Sequence, residues 1–351
     1  MLLWAGILLA AAVLNLAARL FPGFAEWYAA QVHPLIVGTL GRLCSLVPFS
    51  VAEILLYAVL LLILAGLVLI LTRRLSLKKA AAVLAKAFIG LFFMFTLNCG
   101  INYHRMDFSE RAGFAIRESS VEELAALCEE LAEELNAAAG EICTDREGHF
   151  VLEEEAGAEA VKAMQTAAEE YPELAGYYPK PKELLLSRLL SYQQLQGIYS
   201  PFTVEADYNG DMPDQDKPST ICHELSHRKG FMREDEANFI AYLACRASDS
   251  ASFRYSGALL AWIYSGNALA AQDPERFLEI RSSLCDQALR DLENHNAYWN
   301  SYEGIAARVS DRINDTYLKA NAQADGTRSY GRMVDLLLAW NRERGAEYGN
   351  D

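Results

Sequence analysis

Long runs of apolar residues occupy much of the first hundred positions of the chain. The segments 2–20, 51–72 and 80–101 are almost wholly apolar. Each is long enough to cross a bilayer whose hydrocarbon core is roughly 30 Å thick. The pattern therefore predicts a membrane domain over residues 1–103 with three transmembrane helices. The stretch 33–48 is also apolar, and it fits an interfacial or re-entrant segment.

The pattern changes after residue 104. Apolar residues now recur at three- and four-residue steps, which is typical of helices that bury one face. Strand signals are sparse, and the best lies at 197–207, where aromatic and β-branched residues stand between Gly and Pro. The sequence predicts a mainly α protein in which the membrane helices precede a mostly helical α+β domain over 104–351. The helices expected there cover 119–139, 153–170, 182–196, 255–271, 274–294, 301–322 and 329–340.

Charge divides the chain at the same place. Residues 1–103 contain seven basic and two acidic residues, whereas 104–351 carries a net charge of −20. Such an acidic domain offers no footprint for nucleic acid. The connector 73–79 holds Arg73, Arg74, Lys78 and Lys79, and the positive-inside rule assigns it to the cytoplasm. The amino terminus is then expected inside the cell, and the domain 104–351 outside the cytoplasm.

The strongest chemical signal is the sequence His223-Glu-Leu-Ser-His227. Residues at i and i+4 share one face of a helix, so both imidazoles can reach a single Zn²⁺ ion, and Glu224 is placed to act as a general base on water. Pro218, Ser219 and Thr220 before the motif and Gly230 after it predict a short helix over 220–229. Three fixed residues recur by chance in roughly one protein in a hundred, so the surrounding pattern matters.

A catalytic zinc site needs a third protein ligand. A second helix pattern begins at Glu234, and the resulting hairpin returns carboxylates towards the histidines. Arg233 stands where the last histidine of a metzincin motif would be, so that family is excluded. Glu236 is the favoured ligand because Glu236-Ala237-Asn238 is similar to the Glu-Ala-Asn/Asp segment of several gluzincin families. Glu234 is the alternative, although a carboxylate at a helix start is also expected for its effect on the macrodipole.

Several segments together resemble the bacterial membrane family named domain of unknown function 3810. The resemblance rests on 201–203, the block 223–245, 254–257 and 329–331. It implies a membrane-anchored relative of the gluzincin-like zinc metallopeptidases, located in the bacterial inner membrane. It implies no substrate.

These observations favour a zinc-dependent hydrolase that acts on a peptide or protein, with His223, His227 and Glu236 as ligands and Glu224 as base. Tyr255 and Tyr330 are candidate donors to the developing oxyanion, whereas His295 is expected to lie outside the site. The segment 197–207 is either an edge strand that binds extended peptide or a purely structural strand. The alternative function is a membrane-bound sensor or binding module that retains the zinc scaffold without turnover, and a structural membrane protein with a chance motif is a third.

Overall fold

A computed structural model describes residues 2–21 and 23–348, with side chains described through residue 345. The chain is mainly helical, as the pattern predicts. The α-helices are α1 Leu2–Leu20, α2 Phe24–Gln31, α3 His33–Ile36, α4 Arg42–Cys44, α5 Val51–Leu71, α6 Leu77–Phe95, α7 Phe108–Ala112, α8 Val121–Ala139, α9 Ala156–Glu170, α10 Ser187–Ser191, α11 Lys217–Arg228, α12 Glu234–Ala247, α13 Ala251–Gln272, α14 Pro274–Arg281, α15 Asp286–Ser301, α16 Ile305–Ala320 and α17 Met333–Tyr348. The strands are β1 Cys143–Thr144, β2 Phe150–Val151, β3 Lys182–Glu183, β4 Gly197–Ser200 and β5 Glu205–Tyr208.

Three helices are long and apolar enough to span a membrane, which confirms the number predicted. They are α1, α5 and the stretch Leu77–His104, in which α6 continues through a π-helical turn at Thr96–Gly100. The hydroxyls of Ser50 and Ser76 accept hydrogen bonds from main-chain N–H groups and so begin α5 and α6. The first and third of these helices pack together, and Asn15 donates a hydrogen bond of 2.8 Å to the Thr96 hydroxyl.

The ends of α5 and α6 that lie remote from the loop between them are bonded to the later part of the chain. The carboxylate of Glu53 accepts hydrogen bonds from the main-chain N–H groups of Leu185 and Leu186 at 2.8 and 2.9 Å. Asn98, at the end of α6, donates to the carbonyl of Pro201 at 2.6 Å. The basic connector 72–76 joins the opposite ends of the same two helices. The basic connector and the acidic domain thus lie on opposite sides of the helical bundle.

Residues 24–49 form a two-sided layer of short helices between α1 and α5. His33, Val37 and Cys44 are buried, and the Arg42 guanidinium lies 4.5 Å from the centre of the Tyr177 ring. On the other side, large apolar side chains are exposed, notably Leu35, Leu43 and Leu46. One face of the layer therefore packs on the later domain, while the other exposes several large apolar side chains.

The later domain is built on a core of packed helices. Helices α8 and α13 form its most extensive contact, and α9, α11, α12 and α17 pack around them. Helix α8 begins with a capping box formed by Ser120 and Glu123. The centre of the core is aromatic: Phe108 lies between 5.4 and 6.2 Å from the rings of Phe114, Tyr171, Phe231 and Phe239.

Two small sheets complete the domain, and the larger one borders the cleft described below. Its strand order is β3, β5, β4, with β3 parallel and β4 antiparallel to β5, so that β4 lies at an edge. The strand signal at 197–207 thus covers a hairpin whose turn includes Val204 at a φ of 57°. The helix predicted for 182–196 is wrong. Lys182 is buried in an ion pair of 2.6 Å with Glu205, and only the short α10 is helical.

Candidate metal centre

Helix α11 carries both histidines of the motif. It extends over Lys217–Arg228, slightly earlier than the predicted 220–229, with Pro218 in its first turn, where a missing N–H costs nothing. It ends just before Gly230, whose φ of 87° suits glycine. The rings of His223 and His227 lie 4.6 Å apart at an angle of 88°. The four-residue spacing therefore places both imidazoles on one face.

Helix α12 returns a carboxylate to these rings, and that carboxylate belongs to Glu234. Its Oε2 lies 3.2 Å from Nε2 of His223 and 3.5 Å from Nε2 of His227. One donor atom from each of the three residues lies within 4.8 Å of the others. This cluster combines two imidazoles with one carboxylate, a ligand set typical of catalytic zinc.

Glu236 is not part of the cluster, which corrects the ligand favoured from the sequence. Its Oε1 accepts hydrogen bonds from the Phe108 N–H at 2.7 Å and from the Arg233 guanidinium at 2.9 Å. Burial, partly offset by Arg233, raises the pKa of this carboxyl to about 7. Two residues along a helix correspond to a rotation of about 200°, so Glu234 and Glu236 point to opposite sides of α12.

The second nitrogen of each imidazole is held by a neighbouring acceptor. Nδ1 of His223 lies 2.7 Å from the Oδ1 of Asn238, and Nδ1 of His227 lies 2.8 Å from the main-chain oxygen of Phe231. A proton on Nδ1 satisfies each oxygen and leaves the lone pair on Nε2, on the side of Glu234. Bonds of this kind orient metal-binding histidines. In the sequence, Asn238 stands out only as the last residue of Glu236-Ala237-Asn238, and that segment gives no sign of this role.

The electrostatics of the cluster favour positive charge. Burial alone would lower the pKa of His227, but Glu234 and Glu224 outweigh it and raise the pKa to about 9. Burial likewise opposes ionisation of Glu234, yet the two imidazoles outweigh burial and hold the pKa of its carboxyl well below the usual value. The field that retains a proton between these groups would equally favour a dication in the same place.

Glu224 lies beside the cluster with part of its carboxyl group unused. The side chain is buried, and its Oε2 has no hydrogen-bond partner among the described residues. Burial raises the pKa of this carboxyl, against the effect of the two histidines. Gly197 on strand β4 leaves room for it, because a Cβ at position 197 would lie 2.5 Å from Glu224 Oε1.

Glu224 and Gly197 border a cleft of about 360 Å³. His223 and Glu224 line it together with Gly197 of β4, and further lining residues come from α13, α15 and α16. Most of the lining side chains that carry polar groups are uncharged amides and hydroxyls. They include Gln193, Gln194, Gln196, Ser219, Thr220, Asn238, Tyr264, Ser310, Asn314, Thr327 and Tyr330. Such a lining suits the polar, uncharged main chain of a peptide.

The two tyrosines predicted for the site have different positions. Tyr330 lines the cleft, and its hydroxyl accepts a hydrogen bond of 3.3 Å from Asn314. Tyr255 does not line it. The hydroxyl of Tyr255 donates to buried Asp291 at 2.7 Å, and its ring stacks on Phe150 at 5.6 Å, so its place in the site is corrected to one in the core.

His295 lies in the wall of the cleft, contrary to the expectation that it lies outside the site. Its Nδ1 is 2.8 Å from Oδ2 of buried Asp216, which also accepts a hydrogen bond from the Trp299 indole at 3.2 Å. Burial lowers the pKa of His295, but Asp216 outweighs burial and raises it. No spacing in the sequence connects positions 216 and 295, so only the fold reveals this pair.

The chain matches the family model described as a protein of unknown function, DUF3810, over residues 28–338. It belongs to this family. The matched region contains α5, α6, the α11–α12 hairpin and all the residues of the cleft. No curated protein and no solved structure matches the chain. Because the family has no known function, the chemistry of the site must be argued from its geometry.

Proposed function

We propose that the protein is a membrane-anchored zinc-dependent hydrolase that cleaves peptide bonds, with His223, His227 and Glu234 as the zinc ligands. The convergence of their three donor atoms within 4.8 Å carries the proposal. The Nδ1 bonds of both imidazoles and the unpartnered carboxyl oxygen of Glu224 support it. The donor set fits Zn²⁺ in kind and number.

Bound zinc would supply a water of lowered pKa and Lewis-acid polarisation of a carbonyl oxygen. Glu224 takes a proton from the attacking water and later delivers it to the leaving amine, so that the peptide bond breaks with proton balance. Its raised pKa suits both steps, because a carboxyl that is too acidic would retain no proton to deliver. Gly197 keeps the space that this carboxyl group requires.

The polar residues that line the cleft offer hydrogen-bond donors for the substrate. The Tyr330 hydroxyl lines the cleft and is the candidate donor to the oxyanion that forms on the scissile carbonyl. His295, oriented by Asp216, is a second candidate donor that lines the cleft. The edge strand β4 adjoins Glu224, so an extended peptide that pairs with β4 would lie across the cleft.

We further propose that the cleft faces the outer side of the bacterial inner membrane. The basic connector with Arg73, Arg74, Lys78 and Lys79 lies at the ends of α5 and α6 remote from the cleft. The positive-inside rule assigns such a connector to the cytoplasm. A fusion reporter that is active only in the cytoplasm should therefore work at position 75 and fail at the carboxyl terminus, and the reverse pattern would contradict this topology.

The test of the proposed activity is the variant Glu224→Gln in the full-length chain. We expect cleavage of a peptide library to fall by about 10² to 10⁴, because the general base is lost, while zinc content stays at the wild-type level. Glu183→Gln, which changes an exposed carboxylate of β3, is the matched control and should keep full activity. A wild-type protein that binds zinc but cleaves none of the library would favour the binding module instead.

A further inference from the structure

Helix α16 has an apolar face that the described part of the chain leaves largely exposed. Ile305, Val309, Ile313 and Tyr317 recur every four residues and are 75%, 52%, 66% and 36% exposed. We call these four residues the α16 stripe. Leu318 is the only buried residue of this helix of sixteen. An exposed stripe of this kind on a weakly packed helix marks a contact surface.

The stripe is continuous with a membrane span at one end. The Tyr317 ring packs edge-to-face on Phe95 and Tyr103, with centroid distances of 6.2 and 6.3 Å. Its hydroxyl accepts a hydrogen bond of 3.2 Å from Tyr103. Phe95 ends the nineteen-residue helix α6, whose length of about 28 Å nearly matches the hydrocarbon thickness of a bilayer. The Tyr317 end of the stripe therefore lies where the span formed by α6 reaches the membrane surface.

The other end of α16 is attached near the outer end of a second span. Tyr302, just before α16, packs edge-to-face on Tyr192 at 5.0 Å. Tyr192 directly follows α10, and the residues that lead into α10 are bonded to Glu53 at the start of α5. Helix α16 is about 24 Å long, and with its two ends held near the ends of two spans it has the orientation of a helix that lies along a membrane surface.

The polar residues of α16 fit the same arrangement. Arg308 and Arg312 border the stripe, and neither forms an ion pair with a described residue. Thr316 lies on the stripe's face, but its hydroxyl donates to the Arg312 carbonyl at 2.8 Å and so leaves no unsatisfied donor. Asp311 and Asn314 point away from the stripe, and together with Ser310, which lies beside it, they line the cleft. Arginines beside an apolar stripe are typical of helices that bind anionic lipid surfaces.

We propose that the α16 stripe binds the outer leaflet of the membrane that the chain itself spans, so that the cleft has one wall in the lipid interface. Exposed apolar side chains near the start of the span α5 agree with this position. Leu185, Leu186 and Leu189, beside Glu53, are between 46% and 67% exposed. The lipid contact does not depend on the hydrolytic activity proposed above.

The test places a photoactivatable diazirine amino acid at position 309 or 313 of the full-length chain in its native membrane. Position 311 is the control, because about 200° of helical rotation separates it from position 309. After illumination, we expect several-fold more lipid adducts at 309 and 313 than at 311 by mass spectrometry. Adducts with a second copy of the chain, adducts with another polypeptide, or no excess over position 311 would each overturn the proposal.

If the proposed hydrolysis is also correct, the substrate class follows: polypeptides that are anchored in, or bound to, the same leaflet. Wild-type protein in vesicles should then cleave a lipid-tethered peptide several-fold faster than the free peptide. The triple variant I305S/V309S/I313S should lose this preference and keep the rate on the free peptide. An unchanged preference contradicts the lipid contact, whereas failure of the wild type to cleave either peptide contradicts the hydrolase.

Discussion

Helices α11 and α16 border the same cleft but have opposite surroundings. All but two of the twelve residues of α11 are buried, against one of sixteen in α16. Dense packing on all sides fixes the imidazoles to the small tolerance that a metal site needs. The exposed α16 packs mainly on the turn Gly326–Arg332, and aromatic contacts of Tyr317 and of the preceding Tyr302 hold its ends. Helix α11 is thus held firmly by the residues around it, whereas α16 presents a largely exposed surface.

The packing difference gives the largest expected effect. Phe239 of α12 is fully buried against Phe108 and Phe114, so Phe239→Ala should destabilise the protein by about 3–5 kcal/mol. Ile313→Ala on α16 should cost less than about 0.5 kcal/mol in detergent. Denaturant titration of both variants measures the difference. Equal losses of stability would show that α16 belongs to the core after all.

A single methyl group added at position 197, beside α11, should strongly reduce the proposed activity. Gly197→Ala would place a Cβ against the Glu224 carboxyl, and we expect a loss of about 10² in kcat/KM because a small displacement of the base is costly. Zinc content should stay unchanged. Gly140→Ala, where the new Cβ meets only ordinary contacts, should leave the rate alone. A fully active Gly197→Ala protein would remove Glu224 from the proposed role.

Substitutions of Tyr255 and Tyr330 should separate effects on stability from effects on catalysis. Tyr255→Phe deprives buried Asp291 of a hydrogen-bond donor, so it should cost about 1–3 kcal/mol of stability without changing the activity of the folded protein. Tyr330→Phe should do the opposite, with a fall in kcat of about 10² and little loss of stability. Thermal unfolding and steady-state kinetics test both variants. The reverse pattern would return Tyr255 to the site.

The smallest effect concerns pH and the contact between α5 and the sheet. Burial, with Glu205 adding to it and Ser50 and Lys182 opposing it, raises the pKa of Asp207 to about 7. A raised carboxyl pKa means that stability falls as the pH rises from about 4 through 7, since the folded state must then give up a proton it favours. Asp207→Asn keeps an oxygen that can accept the Ser50 hydrogen bond of 2.7 Å. Its melting temperature relative to wild type should therefore increase from pH 5 to pH 8, and a constant difference would contradict the assignment.

Local patterns in the sequence predict the parts of the fold that local forces determine. The length of the apolar runs predicts the three apolar helices, and Ser120 with Glu123 marks the start of α8. The helix prediction for 182–196 is wrong because the residues that this segment contacts are remote in the sequence. Lys182 bonds to the carbonyls of Cys44 and Phe49 at 2.7 and 2.9 Å, and these contacts outweigh a helical periodicity that the sequence shows clearly.

The site follows the same rule. His223, Glu224 and His227 are specified by spacing within one helix, and the structure brings them together as that spacing predicts. The choice between Glu234 and Glu236 depends on how α12 is rotated against α11, and that rotation is set by the core around Phe108 rather than by the motif. His295 joins the cleft through Asp216, 79 residues away, so no local pattern reveals it.

Metal analysis of purified full-length protein tests the central claim, that Glu234 completes a zinc site with the two histidines. Wild type should contain about one zinc per chain. Glu234→Gln should lose most of it, while Glu236→Gln, changed in the same way two positions later, should retain it. Retention of zinc by the Glu234 variant together with its loss from the Glu236 variant, or a wild-type protein without stoichiometric metal, would contradict the account.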